Sequence, residues 1–133
     1  MATNTAATNA RQLHTQQVHY LRKRISFATT GVETVMGIIP AGAIVIGGGV
    51  QVITGDATET LDVGFLDGSS TDDPNAYATA LDIAAVGFIE LDALGATTNI
   101  QQTVDTKVTY TVTAGADTFV GDLIVTFVVD NDL

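Results

Sequence analysis

Cysteine and tryptophan are both absent from this chain of 133 residues, and its eight aromatic residues amount to 6% of the total. Without cysteine there is no disulfide and no thiolate metal site, so stability has to come from packing and association. Sugar rings usually stack on tryptophan or tyrosine, and beyond residue 24 the chain offers only Tyr77 and Tyr110. The composition therefore argues against a carbohydrate-binding module.

Histidine is also scarce. The two histidines, His14 and His19, both lie in the first 24 residues, where no core would desolvate or orient an imidazole. A catalytic Ser/His/Asp arrangement needs such a histidine held in a cleft by a third group. The run Gly47–Gly49 is not followed by a basic residue and a helix start, as a phosphate-binding loop would be. We expect no enzymatic activity, no catalytic residues and no cofactor.

Long apolar runs are missing as well. The longest apolar stretch, Met36–Val50, is broken by glycines and by Pro40, and it is shorter than the roughly 20 residues that a membrane-spanning helix needs. The first ten residues are small and polar, without the apolar segment of a signal peptide. We expect a soluble protein that is made in the cytoplasm and does not bind membranes.

Bases are almost confined to one end of the chain. Four of the five lie in the first 24 residues: Arg11, Arg22, Lys23 and Arg24. The rest of the chain has Lys107 as its single base against all fifteen acids, so the two parts carry net charges of +4 and −14. We predict an extended basic N-terminal arm over residues 1–24 and an acidic folded domain over residues 25–133, with the arm lying along an oppositely charged neighbour.

The arm has the composition of a docking segment. Its apolar residues should fit grooves on neighbours while its bases select the orientation; the set is Leu13, Val18, Tyr20, Leu21, Arg22, Lys23 and Arg24. Successive bases beside an aromatic residue would also suit nucleic-acid phosphates. A domain of charge −14 would repel nucleic acid. We therefore expect no nucleic-acid partner, and we favour a protein surface over an undocked soluble tail.

From Ile25 onward the pattern becomes that of β-strands. Valine, isoleucine and threonine, which favour pleated surfaces, recur in short runs separated by glycine and aspartate. The runs span about residues 25–30, 34–39, 43–46, 49–54, 60–65, 86–91, 106–113 and 123–130. Eight short strands predict a single all-β domain with the architecture of a β-sandwich.

Three local signals refine this prediction. The segment Pro40-Ala41-Gly42 predicts a turn with a positive φ at the glycine. The triple glycine Gly47–Gly49 predicts a bulge, or a bend where the chain changes sheets. Asp73 before Pro74 is a helix-start signal, and it predicts one short helix from Pro74 to Leu81.

The last predicted strand is apolar on both faces. One alternate set is Leu123, Val125, Phe127 and Val129, and the other is Ile124, Thr126 and Val128. A strand of this kind has to be covered on each face, either by its own domain or by another subunit. The first set is therefore our candidate interface strand.

An acidic loop supplies the candidate ion ligands. Asp67, Asp72, Asp73 and Asn75 offer the hard oxygen atoms that Ca²⁺ selects, but their spacing is not that of an EF-hand. Clusters of aspartate, serine and glycine also form exposed turns through side-chain-to-backbone bonds. We favour the turn and predict no metal, which leaves these four residues as weak candidates.

Several segments, taken in order, resemble those of a known family. They are Ile39-Pro40-Ala41-Gly42-Ala43-Ile44-Val45, then Val50 and Val52, then Leu61-Asp62-Val63-Gly64, and Asp72-Asp73-Pro74-Asn75-Ala76-Tyr77. Over about residues 33–129 the pattern looks like that of small β-sandwich virion proteins of tailed bacteriophages, among them head decoration, or cement, proteins. The resemblance implies a jelly-roll-like sandwich that forms a homo-oligomer, with a trimer favoured.

The resemblance also implies a role. Such a protein would be made in the host bacterial cytoplasm, bind the major capsid protein or other virion subunits, and stabilise the head from the capsid exterior. Two alternatives stay open: a tail, collar or fibre-base subunit of a phage, and, less favoured, a carbohydrate- or receptor-binding module.

Overall fold

The computed structural model describes residues 18–26, 31–68, 72–94 and 102–129, which form eight β-strands and no α-helix. The strands are β1 (Val18–Ser26), β2 (Thr34–Ile39), β3 (Ile44–Thr54), β4 (Thr60–Leu66), β5 (Asp73–Asp82), β6 (Gly87–Glu90), β7 (Thr106–Val112) and β8 (Val120–Val128). Within those residues there is no helix long and apolar enough to cross a membrane.

The strands pair as one long antiparallel hairpin that has been rolled up. β1 pairs with β8, β2 with β7, β3 with β6 and β4 with β5. Two further antiparallel pairs, β3 with β8 and β4 with β7, join these ribbons into two sheets of four strands. The orders are β1-β8-β3-β6, here called the β1 sheet, and β2-β7-β4-β5, the β2 sheet. This is a jelly roll, and it confirms the predicted β-sandwich.

The core lies between the two sheets and is built by alternate residues of each strand. Val50 and Val52 of β3 and Leu123 and Val125 of β8 are fully buried there, opposite Leu61 of β4. Burying a side chain of this size is worth about 1.5–3 kcal/mol. The alternation of apolar residues with polar ones therefore fixes which face of each sheet turns inward.

The predicted turn after β2 is confirmed. The Ala43 N–H donates to the Pro40 carbonyl at 3.1 Å, and Gly42 has a φ of 87°. Asp105 supports the turn by accepting the Ala41 N–H at 2.9 Å. The turn links the two sheets, because β2 and β3 belong to different sheets.

The triple glycine lies inside β3, so two of the predicted strands are one. A register shift between Val45 and Gly47 confirms the bulge, but the chain stays in the β1 sheet. Gly48 has a φ of 131°, and a Cβ there would collide with the Ile124 carbonyl of β8. Gly49 lies under the ring of Phe88 from β6. The glycines are needed because neighbouring backbone and an aromatic ring approach too closely for side chains.

The predicted helix from Pro74 to Leu81 is wrong, because this segment lies in β5. Asp73 does accept the Asn75 N–H, at 3.2 Å, as an N-cap would. The chain nevertheless stays extended, because pairing with β4 satisfies its backbone and buries Tyr77 completely. A two-turn helix would have gained little on its own.

The predicted boundary between arm and domain, at residues 24 and 25, falls inside β1. Val18–Arg24 belong to the sandwich, where they pair with β8. Leu21 and Ile25 turn toward the core while Arg22 and Arg24 turn outward, so the segment alternates like any half-buried strand. The consecutive bases conceal that alternation in the sequence. Residues 1–17 and 27–30 lie outside the described residues.

Replacing Gly48 by alanine should destabilise the domain by about 2–4 kcal/mol, because it adds backbone strain and a clash with β8. Urea denaturation followed by circular dichroism measures the change. Gly47→Ala is the matched control, since its Cβ would meet only the Thr126 hydroxyl, at 3.3 Å, and its φ is not in the strained region. Equal losses in the two variants would contradict the close approach of β3 to β8.

Candidate interaction surface

The face of the β1 sheet that points away from the core, here called the outer face, exposes large apolar side chains. Tyr20 of β1 is 66% exposed, Phe88 of β6 is 53% exposed and Ile46 of β3 is 50% exposed. Ile124 of β8 is half-buried between them. Solitary exposed apolar residues need no explanation, but several on one face, spread over all four strands, are typical of an interaction site.

The register aligns these side chains in rows that cross the sheet. One row runs from Arg22 through Ile124 and Gly49 to Glu90. This row begins at β1 and reaches β6 at the opposite margin of the sheet. In this row the two margins carry charges of opposite sign.

A groove crosses the outer face where β3 has no side chains. Gly47 and Gly48 line it, and it has a volume of about 490 Å³. Its other walls are mainly apolar: Ile46, Phe88, Leu91, Leu94, Ile124 and Thr126, with Glu90 as the acid. A groove of this composition fits an apolar or aromatic side chain that has a base next to it.

Two arginines of β1 share one carboxylate on the same face. Asp122 of β8 accepts Arg22 Nη2 at 2.9 Å and Arg24 Nε at 2.5 Å. The hydrogen bonds from Arg24 and Arg22 lower the pKa of Asp122 from its ordinary 3.8 to about 2, and the same contact raises the pKa of Arg24. The arginine side chains remain 58% and 59% exposed, so they hold β1 on β8 and still face outward.

Lys23 points the other way and bridges the two sheets. Its Nζ donates to the Val35 carbonyl of β2 at 3.2 Å and lies 5.6 Å from the centre of the Tyr110 ring. His19, on the same side of β1, stacks on Phe127 of β8 with ring centres 5.6 Å apart. The basic strand is thus attached through both of its faces.

Low pH should make the folded domain less stable, because Asp122 becomes protonated. Its pKa is lower in the folded state, so the ion pairs contribute fully above the ordinary pKa of 3.8 and are lost as the pH falls toward about 2. We expect the urea midpoint of the wild type to fall more steeply between pH 4 and pH 2 than that of Asp122→Asn. Parallel curves for the two proteins would contradict a stabilising role of these ion pairs.

A second polar cluster lies in the loops at one end of the sandwich. Asp56 accepts the N–H and hydroxyl of Thr58 and those of Thr118, at 2.6–3.1 Å. The Thr58 hydroxyl is the main cause that holds the pKa of Asp56 well below its usual range. This carboxylate joins the loop after β3 to the loop before β8.

Glu59, next to that cluster, is buried without such support. It is 1% exposed, and neither carboxyl oxygen forms a well-aligned hydrogen bond within the described part of the chain. Burial raises the pKa of Glu59 above its ordinary 4.5, and the charge of Asp56 raises it further. The folded state therefore favours the protonated form of Glu59 more than the unfolded chain does.

Glu59 should make the domain less stable as the pH rises. Below 4.5 the acid is protonated in both states; above that pH the unfolded chain releases its proton first, so stability falls until the folded pKa is passed. Glu59→Gln should remove this loss. Its urea midpoint should therefore exceed that of the wild type by more at pH 8 than at pH 4.5. Glu90→Gln, an exposed acid on β6, is the matched control. A Glu59→Gln curve with the wild-type pH dependence would contradict the burial argument.

The structure separates the predicted site residues into groups. Leu13 lies outside the described residues, whereas Val18 and Tyr20 are on the outer face and Leu21 packs toward the core. Leu123, Val125 and Phe127 of the candidate interface strand are core residues, and Val129 packs against them. Their own domain covers that face of β8 because the β2 sheet lies over it. The face left for a neighbour is that of Ile124, Thr126 and Val128.

The candidate ion ligands act within turns. Asp72 accepts the N–H groups of Asp67 and Gly68 at 2.7 and 3.1 Å, and Asp73 accepts that of Asn75. Among the described residues no group of three histidines or acids is placed to hold a metal ion. Residues 69–71 of this loop lie outside the description.

Tyr77 and Tyr110, the aromatic residues considered for sugar binding, are both buried. Tyr77 is inaccessible, and burial raises its pKa to about 12. Its hydroxyl accepts a hydrogen bond from Gln102 at 3.3 Å. Neither ring can stack on a ligand, which weakens the carbohydrate alternative.

Sequence reasoning missed the groove and the partner of the arginines. The pattern contained a signal for the groove, since three adjacent glycines in a strand leave a strip without side chains. It contained none for Asp122, which is 98 and 100 residues away from the arginines that it binds.

No family model matches the sequence, and no curated protein matches it significantly. Three solved structures with a similar fold are chains of phage capsids. A chain of the acidic stable capsid structure of Helicobacter pylori bacteriophage KHP30 is 19% identical, with a TM-score of 0.62 over 84% of this chain and 87% of that one. A chain of the capsid of Ralstonia phage GP4 is 21% identical, with a TM-score of 0.62 over 86% and 84%.

The third structure is the cyanophage Pam1 capsid asymmetric unit. One of its chains is 21% identical, with a TM-score of 0.63 over 94% of this chain and 99% of that one. The three chains are similar to this one over almost their whole lengths. At these identities the likeness establishes a shared fold.

Proposed function

We propose that this protein is a structural subunit of a bacteriophage particle that binds the outer surface of the capsid and stabilises the head. The observation that carries the proposal is the fold: an eight-stranded jelly roll similar, over nearly its whole length, to chains from three phage capsid structures. The resemblance of the segments around Pro40, Gly64 and Tyr77 to decoration proteins supports the same role.

The charge of the protein supports a position outside the shell. Its net charge of −10 would be repelled by packaged nucleic acid on the inner side. The exposed apolar groove of the β1 sheet supports binding to other protein subunits, since a large exposed apolar group is unfavourable in a protein that acts alone.

Cementing a shell is a problem of many weak contacts. Each copy adds a modest interaction, and copies that also bind one another turn later contacts into intramolecular ones at a high effective concentration. A homo-oligomer, with a trimer as the expected state, would therefore hold several shell subunits together. The major capsid protein is the expected partner.

The segment 1–17 is proposed to contribute to attachment. It carries Arg11 and Leu13 but no acid, so it complements an acidic surface, and at up to about 3.3 Å per residue it can span roughly 56 Å. Val18–Ser26 form β1 of the sandwich, so this part of the predicted arm is not free to reach a neighbour.

Deleting residues 1–17 should therefore leave a folded β domain that binds heads less well. Circular dichroism checks the fold, and cosedimentation with phage heads made without this protein measures binding. The control is deletion of residues 1–24, which removes most of β1 and should unfold the domain because β8 loses a partner. Undiminished binding by the shorter deletion would contradict a role for this segment.

Counting copies by electron microscopy separates the proposed role from a tail, collar or fibre-base role. A head protein should be present in hundreds of copies over the shell and should raise the temperature at which heads release their contents. A few to tens of copies at a single vertex would contradict the proposal.

A further inference from the structure

The described bases lie toward one side of the sandwich, and the opposite side carries acids without a base. Arg22, Lys23 and Arg24 lie on β1, and the remaining described base is Lys107 on β7. The opposite side, formed by β5, β6 and the segment after β6, has no base and carries four acids: Asp73, Asp82, Glu90 and Asp92. The Thr79 N–H of β5 donates to Asp92 at 3.1 Å, which holds this acidic side together.

The same polarity is present on the outer face of the β1 sheet. At the β1 margin, Val18 and Tyr20 are 62% and 66% exposed beside Arg22. The groove extends from β8 to the β6 margin, where Phe88 lies in its wall and Glu90 is its acid. Arg22 and Glu90 occupy one row of the register. Three strand spacings of about 4.8 Å separate them, roughly 14 Å, so they cannot meet within one chain.

We propose that the β1 margin of one copy docks into the groove at the β6 margin of a second copy, with Tyr20 in the groove and Arg22 facing Glu90. This contact deepens the self-association in the proposed function and rests on it. Tyrosine and arginine are among the residues enriched at the energetic centre of protein interfaces. Gly47 helps to provide the space, because a side chain there would point toward Thr126 in the groove wall.

Charge selects this arrangement over the symmetrical one. If two copies met through their β1 margins, Arg22 and Arg24 would face the same residues of the partner, and like charges at an interface are unfavourable. Opposite margins bring a base to an acid and an exposed aromatic side chain to an apolar groove. Because each copy then presents both halves of the contact, repetition gives a ring if the rotation between copies closes. A trimer is one such ring.

The absence of cysteine allows a clean crosslinking test. Tyr20→Cys and Phe88→Cys are prepared separately, mixed under oxidising conditions and analysed by non-reducing electrophoresis. We expect a disulfide-linked species in the mixture and little in either variant alone. In the double variant we expect a covalent ladder that ends at a closed ring, since the two positions lie at opposite margins of one sheet and are too far apart to bridge within a chain.

Two outcomes would overturn the proposal. One is crosslinking of Tyr20→Cys with itself at least as strong as in the mixture, which would mean that two β1 margins meet. The other is a yield of mixed disulfide between Tyr20→Cys and Phe88→Cys that does not exceed the yield obtained with the Ile38→Cys variant. Ile38 is the matched control, because it is 58% exposed on β2, in the other sheet.

Sedimentation of the purified protein gives an independent readout. Tyr20→Ser and Glu90→Arg should each weaken self-association about tenfold or more, whereas Ile38→Ser should leave it unchanged. Equal effects of Tyr20→Ser and Ile38→Ser would also overturn the proposal. These measurements use no phage heads, so failure of this contact and failure of head binding are distinguishable: a variant can lose either one and retain the other.

Discussion

The pairing of β1 with β8 is the contact on which the rest of the structure depends. It places a strand with three consecutive bases beside Asp122, whose carboxylate binds Arg22 and Arg24 at once. That acid supplies the counter-charge for Arg22 and Arg24. Because the pairing fixes the register, it also decides that Tyr20 turns outward and Ile25 turns into the core.

The consequences extend to both faces of the sheet. Inward, β1 completes the jelly roll and adds Leu21 and Ile25 to the core that contains the fully buried Leu123 and Val125 of β8. Outward, it adds an aromatic and basic margin to a face whose other margin is acidic and grooved. One short segment therefore makes inward contacts through its odd-numbered residues, and through its even-numbered ones it supplies both the ion pairs to Asp122 and a candidate surface for association. The proposed particle-stabilising role would use both.

Much of the fold could be predicted from the sequence, because local alternation and turn residues carry it. Gly42, after Pro40 and Ala41, predicts the turn, and the adjacent glycines of β3 predict a bulge. β5 could not be predicted, since alanine, proline and aspartate are poor strand formers, and only pairing with β4 and burial of Tyr77 make it a strand. Asp62 takes part in this pairing by accepting the Ala80 N–H at 2.6 Å. The candidate interaction surface could not be predicted, because it depends on the register between strands that are distant in sequence. The spacing of apolar residues along the chain does not reveal that register.

Amide hydrogen exchange of the purified protein, resolved by residue, tests most directly whether the basic segment is a strand. If Val18–Ser26 is a strand paired with β8, its amides that point toward β8 should exchange slowly, as those of β8 do, while the alternate amides on the open edge should exchange fast. Uniformly fast exchange from Val18 through Arg24, at the rate of an unstructured peptide, would contradict it.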